Sequence, residues 1–139
     1  CEDYYRVLKP GGVFVTVREH VISRAEDLET FLRRHELHFL YEGENAFTLD
    51  HYIRSIRHAG FDVDRVLAPL RSPINLAPHT QASFRSELAR RASFGRPALA
   101  RAFNAALTVR GCWPLIRLLM ERIDNRPGRL YSFVAHRPM

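Results

Sequence analysis

Residues 5–17 decide the fold and read Tyr5-Arg6-Val7-Leu8-Lys9-Pro10-Gly11-Gly12-Val13-Phe14-Val15-Thr16-Val17. Pro10 cannot continue the helix that the preceding residues predict, and Gly11 and Gly12 permit the positive φ that a tight turn needs. Residues 13–17 are apolar except for one threonine and rich in β-branched side chains, which is typical of a parallel strand covered on both faces. The stretch therefore predicts the end of a helix, a turn and a buried strand.

The residues after this strand predict a further helix and strand. Ser23 opens a Ser-x-x-Glu pattern, the spacing of a capping box before a helix. Residues 35–45 predict an irregular loop or a short strand. Thr48 is the expected N-cap of the next helix, and Gly60 lies where a left-handed residue ends one. Residues 61–67 then predict a strand, with apolar side chains on one face.

The second half of the chain predicts mostly helix. Residues 68–78 contain three prolines and form a connector. Three helices are expected after it, and the turn at residues 125–128 leads into a final strand at 130–136. The division is therefore 1–77, a helical segment at 78–127, and a last strand segment at 128–139. The apolar positions that predict the three helices are Phe84 and Leu88, then Leu99, Phe103 and Leu107, then Ile116, Leu119, Met120 and Ile123.

Charge is divided unevenly along the chain. Residues 1–70 carry 9 Lys+Arg and 12 Asp+Glu, whereas residues 71–139 carry 12 and 3. The basic half favours an anionic partner such as a phospholipid, a nucleotide-sugar, a polyprenyl phosphate or RNA. The alternative is that the arginines form a solvated helix face. The densest basic group comprises Arg85, Arg90, Arg91, Arg96 and Arg101.

The cysteines and the hydropathy bear on where the protein works. Cys1 and Cys112 form neither a disulfide framework nor a metal motif, so a reducing cytoplasm is expected. No run of about 18 apolar residues occurs, and no transmembrane segment is predicted. The chain begins inside a predicted helix and without Met, which we interpret as a fragment of a longer protein.

The Arg-x-Leu-Lys-Pro-Gly-Gly element at residues 6–12, followed by an apolar strand, resembles the segment leading into the fifth strand of class I S-adenosylmethionine-dependent methyltransferases. The Ala-Gly-Phe strand start at 59–61 and the final strand extend the resemblance over residues 2–77 and 129–137. It implies an α/β fold, the C-terminal part of a Rossmann-like sheet. Strands five, seven and six would lie in that order, with the last strand antiparallel between the other two and a helical subdomain inserted.

The resemblance implies a methyl transfer from S-adenosylmethionine to a small-molecule, glycolipid or polysaccharide-precursor acceptor. That family binds its donor through a Gly-rich loop after the first strand and an acidic residue ending the second, and neither is present. Gly11 and Gly12 precede a strand, whereas a cofactor loop follows one. The cofactor-binding residues are therefore unknown. The missing N-terminal half is the expected partner, and the fragment alone is expected to be inactive.

The candidate catalytic residues come directly after the first strand, where ligands of open α/β sheets bind. His20 is a candidate general base that accepts a proton from a substrate hydroxyl during attack on the sulfonium methyl. Glu19 is the second catalytic candidate, orienting His20 or binding substrate, and Arg18 is a substrate-binding candidate. The alternatives are that His20 is a loop or capping residue, and that Glu19 pairs with Arg18 or Arg24.

Residues 38–47 are expected to line the acceptor pocket through Tyr41, Asn45 and Phe47, because irregular segments at a site's edge often set specificity. The alternative is a packed loop in which Phe47 forms a hydrophobic staple before the next helix. The His35-x-x-His38 spacing matches no zinc motif, so no metal site is predicted.

Two other functions remain open. The first is a non-catalytic docking module that uses the basic helices to bind an anionic partner. The second is a fragment of an RNA methyltransferase, although no motif interleaves aromatic residues with the arginines and nucleic acid is disfavoured. The apolar strand at 13–17 would also have an open edge, from which a homodimer or poor solubility is expected.

Overall fold

The computed structural model describes residues 1–41 and 43–139, so residue 42 of the predicted acceptor-pocket segment lies outside it. The described residues divide into two compact units, one formed by Cys1–Pro69 with Asn125–Met139 and the other by Leu70–Asp124. The strands of the first unit are β1 (Val13–Ile22), β2 (Phe47–Thr48), β3 (Asp62–Leu67) and β4 (Arg129–His136). Its helices are α1 (Glu2–Val7), α2 (Asp27–Leu32), α3 (Glu36–Tyr41) and α4 (Leu49–His58).

The first unit is built on an open four-stranded sheet with the order β2-β1-β4-β3. β1 and β2 are parallel and pair only at Val21 with Phe47 and Ile22 with Thr48. β4 lies between β1 and β3 and is antiparallel to both. The predicted position of the last strand is therefore confirmed, and the fold is a mixed α/β sheet.

β1 is longer than predicted. It continues to Ile22 through a bulge, because the pairing with β4 advances three residues in β1 and only two in β4 between Thr16 and Glu19. The backbone of Arg18 has φ of 60°, and its N–H donates to Ser132 Oγ at 3.1 Å. The prediction that residues 18–20 follow the strand is therefore wrong, because pairing with β4 resumes at Glu19 and His20 after the bulge.

One face of the sheet carries the main core. Phe14, Phe61 and Phe133 are buried there with Ile56 of α4, and the rings of Phe14 and Phe61 stack with centroids 4.8 Å apart. Each buried side chain of this size stabilises the fold by roughly 1.5–3 kcal/mol. The core therefore fixes α4 against β1, β3 and β4.

The other face of β1 is open at its start. Val13, Val15 and Val17 are 59%, 54% and 49% exposed. The prediction that this strand is covered on both faces is wrong for the described residues, since burial alternates along it as in a sheet packed on one side.

α4 begins and ends as its sequence predicts. Thr48 Oγ1 accepts the N–H of His51 at 3.3 Å. At the other end Gly60 has φ of 100°, and the Phe61 N–H donates to Ile56 O at 3.3 Å, the pattern of a Schellman motif. A Cβ at Gly60 would lie 2.8 Å from the Tyr5 ring, so glycine is needed for both conformation and space.

Two local predictions are wrong. Ser23 does not cap α2, because its Oγ accepts from the Arg129 guanidinium at 2.9 Å, and α2 begins only at Asp27. Residues 36–41 form the helix α3 where an irregular segment was expected.

The second unit is helical and contains α5 (Pro73–Leu76), α6 (Gln81–Ala92), α7 (Pro97–Thr108) and α8 (Cys112–Ile123). The three helices predicted from apolar spacing are thus confirmed as α6, α7 and α8. Ala89, Leu107 and Trp113 form their shared core, which Phe84, Leu88 and Ile116 extend. None of the helices in the described chain is long and apolar enough to cross a bilayer.

Candidate functional site

Three aromatic rings form a compact cluster near the end of β1. The ring centroids of His20 and Phe31 lie 4.9 Å apart, those of His20 and His35 4.8 Å, and those of Phe31 and His35 4.9 Å. Phe31 is buried on α2, and His35 follows directly after that helix. The cluster therefore joins the second half of β1 to the end of α2.

The bulge in β1 decides which way His20 faces. Without the extra residue, Thr16 and His20 would share one face of the strand. With it, Glu19 lies on the face of Thr16 and Tyr52, and the His20 ring packs against Phe31. Glu19 and His20 therefore point to opposite faces of the sheet.

Gly128 completes the cluster from the turn before β4. Its φ is 81°, and an added Cβ would lie 2.7 Å from two ring carbons of Phe31. Its N–H donates to Val21 O at 3.1 Å, and its carbonyl lies 3.2 Å from His20 Nδ1. Only glycine allows this close approach.

The hydrogen bonds assign the protons of the two neutral histidines. A carbonyl only accepts, so Nδ1 of His20 carries the proton that it donates to Gly128. Nε2 of His20 is then an acceptor, and it lies 3.1 Å from Nε2 of His35, which must be the donor. Nδ1 of His35 remains as a buried acceptor without a partner among the described residues. His20 is thus oriented by Gly128 and His35 rather than by Glu19.

A cavity of about 320 Å³ opens beside this pair. It lies between α2, the residues that follow α2, and the turn at residues 125–128. Of the candidates named from sequence, His20 alone belongs to its described lining. The described residues that line it are His20, Thr30, Phe31, Arg34, His35, Arg126, Pro127 and Gly128.

On the opposite face, Glu19 and Tyr52 are electrostatically coupled. Burial raises the pKa of Glu19, and the attraction between its carboxylate and the His20 ring when that ring is protonated opposes the shift. Burial, followed by the negative charge of Glu19, raises the pKa of Tyr52 to about 12. The Tyr52 hydroxyl donates to His20 O at 3.3 Å, so it supports the backbone on which His20 is carried.

The remaining predicted site residues lie elsewhere. The Arg18 side chain is exposed, and Tyr41 is 79% exposed at the end of α3. Asn45 Oδ1 accepts from Ala46 N at 2.8 Å. Phe47 stacks on His51 and packs edge-on against Tyr52, with centroids 5.6 Å apart, which is the alternative interpretation of a hydrophobic staple.

Sequence reasoning missed most of the cavity. His35 was weighed only for its spacing to His38, and residues 125–128 only as a turn. Phe31, Arg34 and Arg126 carry no sequence pattern that indicates a binding site. No sequence signal joins these residues, because they meet through the pairing of strands distant in the chain.

Several predicted basic residues are engaged within the second unit. Arg90 and Arg91 pair with Glu87, and hydrogen bonds from Arg90 and then Arg91 lower the pKa of Glu87 to about 2. The Arg85 guanidinium lies 5.9 Å from the centroid of the Trp113 ring. Part of this charge is therefore used in contacts within the unit.

The described residues contain no group of three or more His, Cys, Asp or Glu side chains placed to hold a metal ion. No protein-family model matches the chain, and no curated protein matches it significantly. The function is therefore argued from the sheet and from the cavity beside His20.

Proposed function

We propose that the chain is the C-terminal part of a class I S-adenosylmethionine-dependent methyltransferase. The observation that carries the proposal is the sheet order β1-β4-β3, with an antiparallel last strand between the other two. The Leu-Lys-Pro-Gly-Gly turn at residues 8–12 is the second feature that supports the proposal. In this assignment β1, β3 and β4 are strands five, six and seven, and the acceptor is a small molecule or a glycolipid or polysaccharide precursor.

The turn at Gly11 and Gly12 does not fit the methyl donor. The N–H of Gly11 donates to Arg137 O at 2.8 Å, and that of Gly12 donates to Lys9 O at 2.8 Å. A Cβ at Gly12 would lie 2.7 Å from Leu8 Cγ, so the chain itself fills the space at this turn. The two glycines therefore serve the turn, and the proposal assigns the donor to residues outside this sequence.

The contribution of this chain is then on the acceptor side. In the His20–His35 pair, the lone pair of His20 Nε2 already accepts from His35. His20 can take a proton from a substrate hydroxyl only when the His35 ring swings away. The proposed proton acceptor is therefore His20 Nε2 after its hydrogen bond from His35 has broken, with Gly128 O holding the orientation of the His20 ring.

Calorimetric titration with S-adenosylhomocysteine tests the proposal. The ligand is added to this chain and to the protein as its gene encodes it, including any residues before Cys1. Binding to the longer protein alone is the expected result. Binding to neither overturns the methyltransferase proposal, and tight binding to this chain overturns the placement of the donor site.

A second candidate is docking to an anionic membrane surface through α8. Leu115, Leu118, Leu119 and Ile123 are exposed along one side of this helix, while its opposite side packs inside the unit. Residues 70–124 carry nine arginines against three acidic residues. An apolar stripe within a basic helical unit is the pattern of a helix lying at the surface of an anionic bilayer.

Vesicle sedimentation tests this candidate. Binding to vesicles containing phosphatidylglycerol, but not to phosphatidylcholine alone, is expected and should fall with salt. The double variant Leu115→Ser/Leu119→Ser should weaken it at least about tenfold, whereas Leu40→Ser, at an exposed leucine of α3, should not. The candidate is overturned if the double variant binds vesicles as well as the unchanged chain does. It is also overturned if the double variant loses self-association while keeping its vesicle binding.

A further inference from the structure

We propose that the cavity beside His20 and His35 is a binding site for a phosphate-class oxyanion. Its walls come from three segments: β1, α2 with the residues after it, and the turn at 125–128, which is distant from the other two in sequence. The cavity measures about 320 Å³, at the lower end of the range for small-ligand pockets. It suits an oxyanion with a small attached group.

Charge selects the ligand. Arg34 and Arg126 are permanently cationic, and a guanidinium matches the oxygens of a phosphate with two parallel hydrogen bonds. No Asp or Glu belongs to the described lining, although residues 1–70 carry an acidic excess. The C-terminus of the six-residue α2 carries a partial negative charge of at most about half an elementary charge, which repels an anion. The two positive charges of the guanidinium groups outweigh this repulsion.

The uncharged walls fit the same ligand. Thr30 offers a hydroxyl donor, while Phe31 and Pro127 form apolar surface. Apolar walls lower the local dielectric, which strengthens a charge-assisted hydrogen bond made inside the cavity. His35 Nδ1, buried and without a partner among the described residues, can accept a hydrogen bond from an O–H group of the ligand.

The site and the proposed function can fail separately. The assignment of the oxyanion to the methyl acceptor rests on the proposed function. Binding of the oxyanion itself does not, because it depends only on the lining of this cavity. If phosphate binds and S-adenosylhomocysteine does not bind even to the longer protein, the oxyanion site is supported and the methyltransferase proposal is overturned. If S-adenosylhomocysteine binds to the longer protein and phosphate does not bind, only the oxyanion site is overturned.

Calorimetric titration of inorganic phosphate into the whole chain, at an ionic strength fixed with sodium chloride, tests the site. Saturable binding is expected. Arg34→Gln and Arg126→Gln should each weaken it about tenfold, because each removes a charge-assisted contact. Arg34 is exposed, so Arg34→Gln should leave folding intact, and its effect decides the test.

Arg33→Gln is the matched control. Arg33 is the neighbour of Arg34, but it pairs with Glu29 at 2.5 Å and does not line the cavity. Its replacement should change phosphate affinity less than about twofold. Absence of binding overturns the proposal, and so does equal weakening by Arg33→Gln and Arg34→Gln. In NMR spectra, phosphate should shift the ring signals of His20 and His35, and unchanged signals also overturn it.

Discussion

Nε2 of His20 lies 3.1 Å from Nε2 of His35. A histidine in β1, just after the bulge, is therefore hydrogen-bonded to a histidine that follows α2. Because Gly128 O fixes the proton of His20 on Nδ1, the pair has a direction: His35 donates and His20 accepts. This polarity is the basis of the first prediction.

In the neutral state we expect opposite tautomers, with the proton on Nδ1 in His20 and on Nε2 in His35. Long-range nitrogen–proton NMR correlations distinguish the two tautomers. His58, exposed on α4, serves as a reference histidine. Observation of the same tautomer in both His20 and His35 would contradict the hydrogen-bond direction.

The second prediction concerns Gly128. Gly128→Ala should be more destabilising than Gly43→Ala, although both glycines have positive φ. The alanine at 43 meets nothing within 4 Å and should cost about 1 kcal/mol for its conformation alone. At 128 the contact with Phe31 should add roughly 1–3 kcal/mol to the loss of unfolding free energy, measured by denaturant titration.

A double-mutant cycle identifies the cause. In a Phe31→Ala background the ring that would collide with the new Cβ is gone. The extra cost of Gly128→Ala should therefore shrink towards that of Gly43→Ala. An undiminished cost would place the strain in the backbone of the turn instead.

Local signals predicted most of the fold, because each depends on neighbours within a few residues. Thr48 as an N-cap, Gly60 as a left-handed terminus and the turn at 125–128 all act over one turn of chain. The apolar spacing of α6, α7 and α8 is equally local. Ser23 shows the limit, since its hydroxyl bonds Arg129, 106 residues away, instead of capping α2.

The candidate site was much less predictable, because long-range contacts build it. The bulge that decides which face of the sheet Glu19 and His20 each occupy is held by the hydrogen bond from Arg18 N–H to Ser132 Oγ, 114 residues apart. The contact of His20 with Gly128 spans 108 residues. Neither separation leaves a periodic pattern in the sequence, so the sequence suggested His20 without its partners.

The third prediction concerns the face of β1 that carries Glu19. Tyr52, whose pKa is raised to about 12, should ionise well above the ordinary tyrosine value of 10.0. The raised pKa stabilises the fold fully below pH 10.0, the ordinary value, and this contribution is lost as pH rises towards 12. Glu19→Gln should lower the Tyr52 pKa, because it removes the nearby negative charge.

Ultraviolet absorbance of the phenolate measures this titration, and Tyr52→Phe assigns the step. Glu26→Gln, at an exposed carboxylate, is the control and should leave the step unchanged. If Glu19→Gln left it unchanged as well, burial alone would account for the raised pKa.

The fourth prediction concerns the open side of β1. β2 pairs only with Val21 and Ile22, so within the described residues the edge along 13–17 has no neighbouring strand on that side. Unpaired N–H and C=O groups beside three exposed valines form a template for pairing with another chain. We therefore expect this chain to self-associate with rising concentration, as measured by light scattering. Val15→Lys should suppress association by placing a charge on the strand, whereas Val7→Lys, at a more exposed valine on α1, should not. A monomer at high concentration would show that the edge is protected by means other than strand pairing, and equal suppression by both variants would assign the effect to net charge.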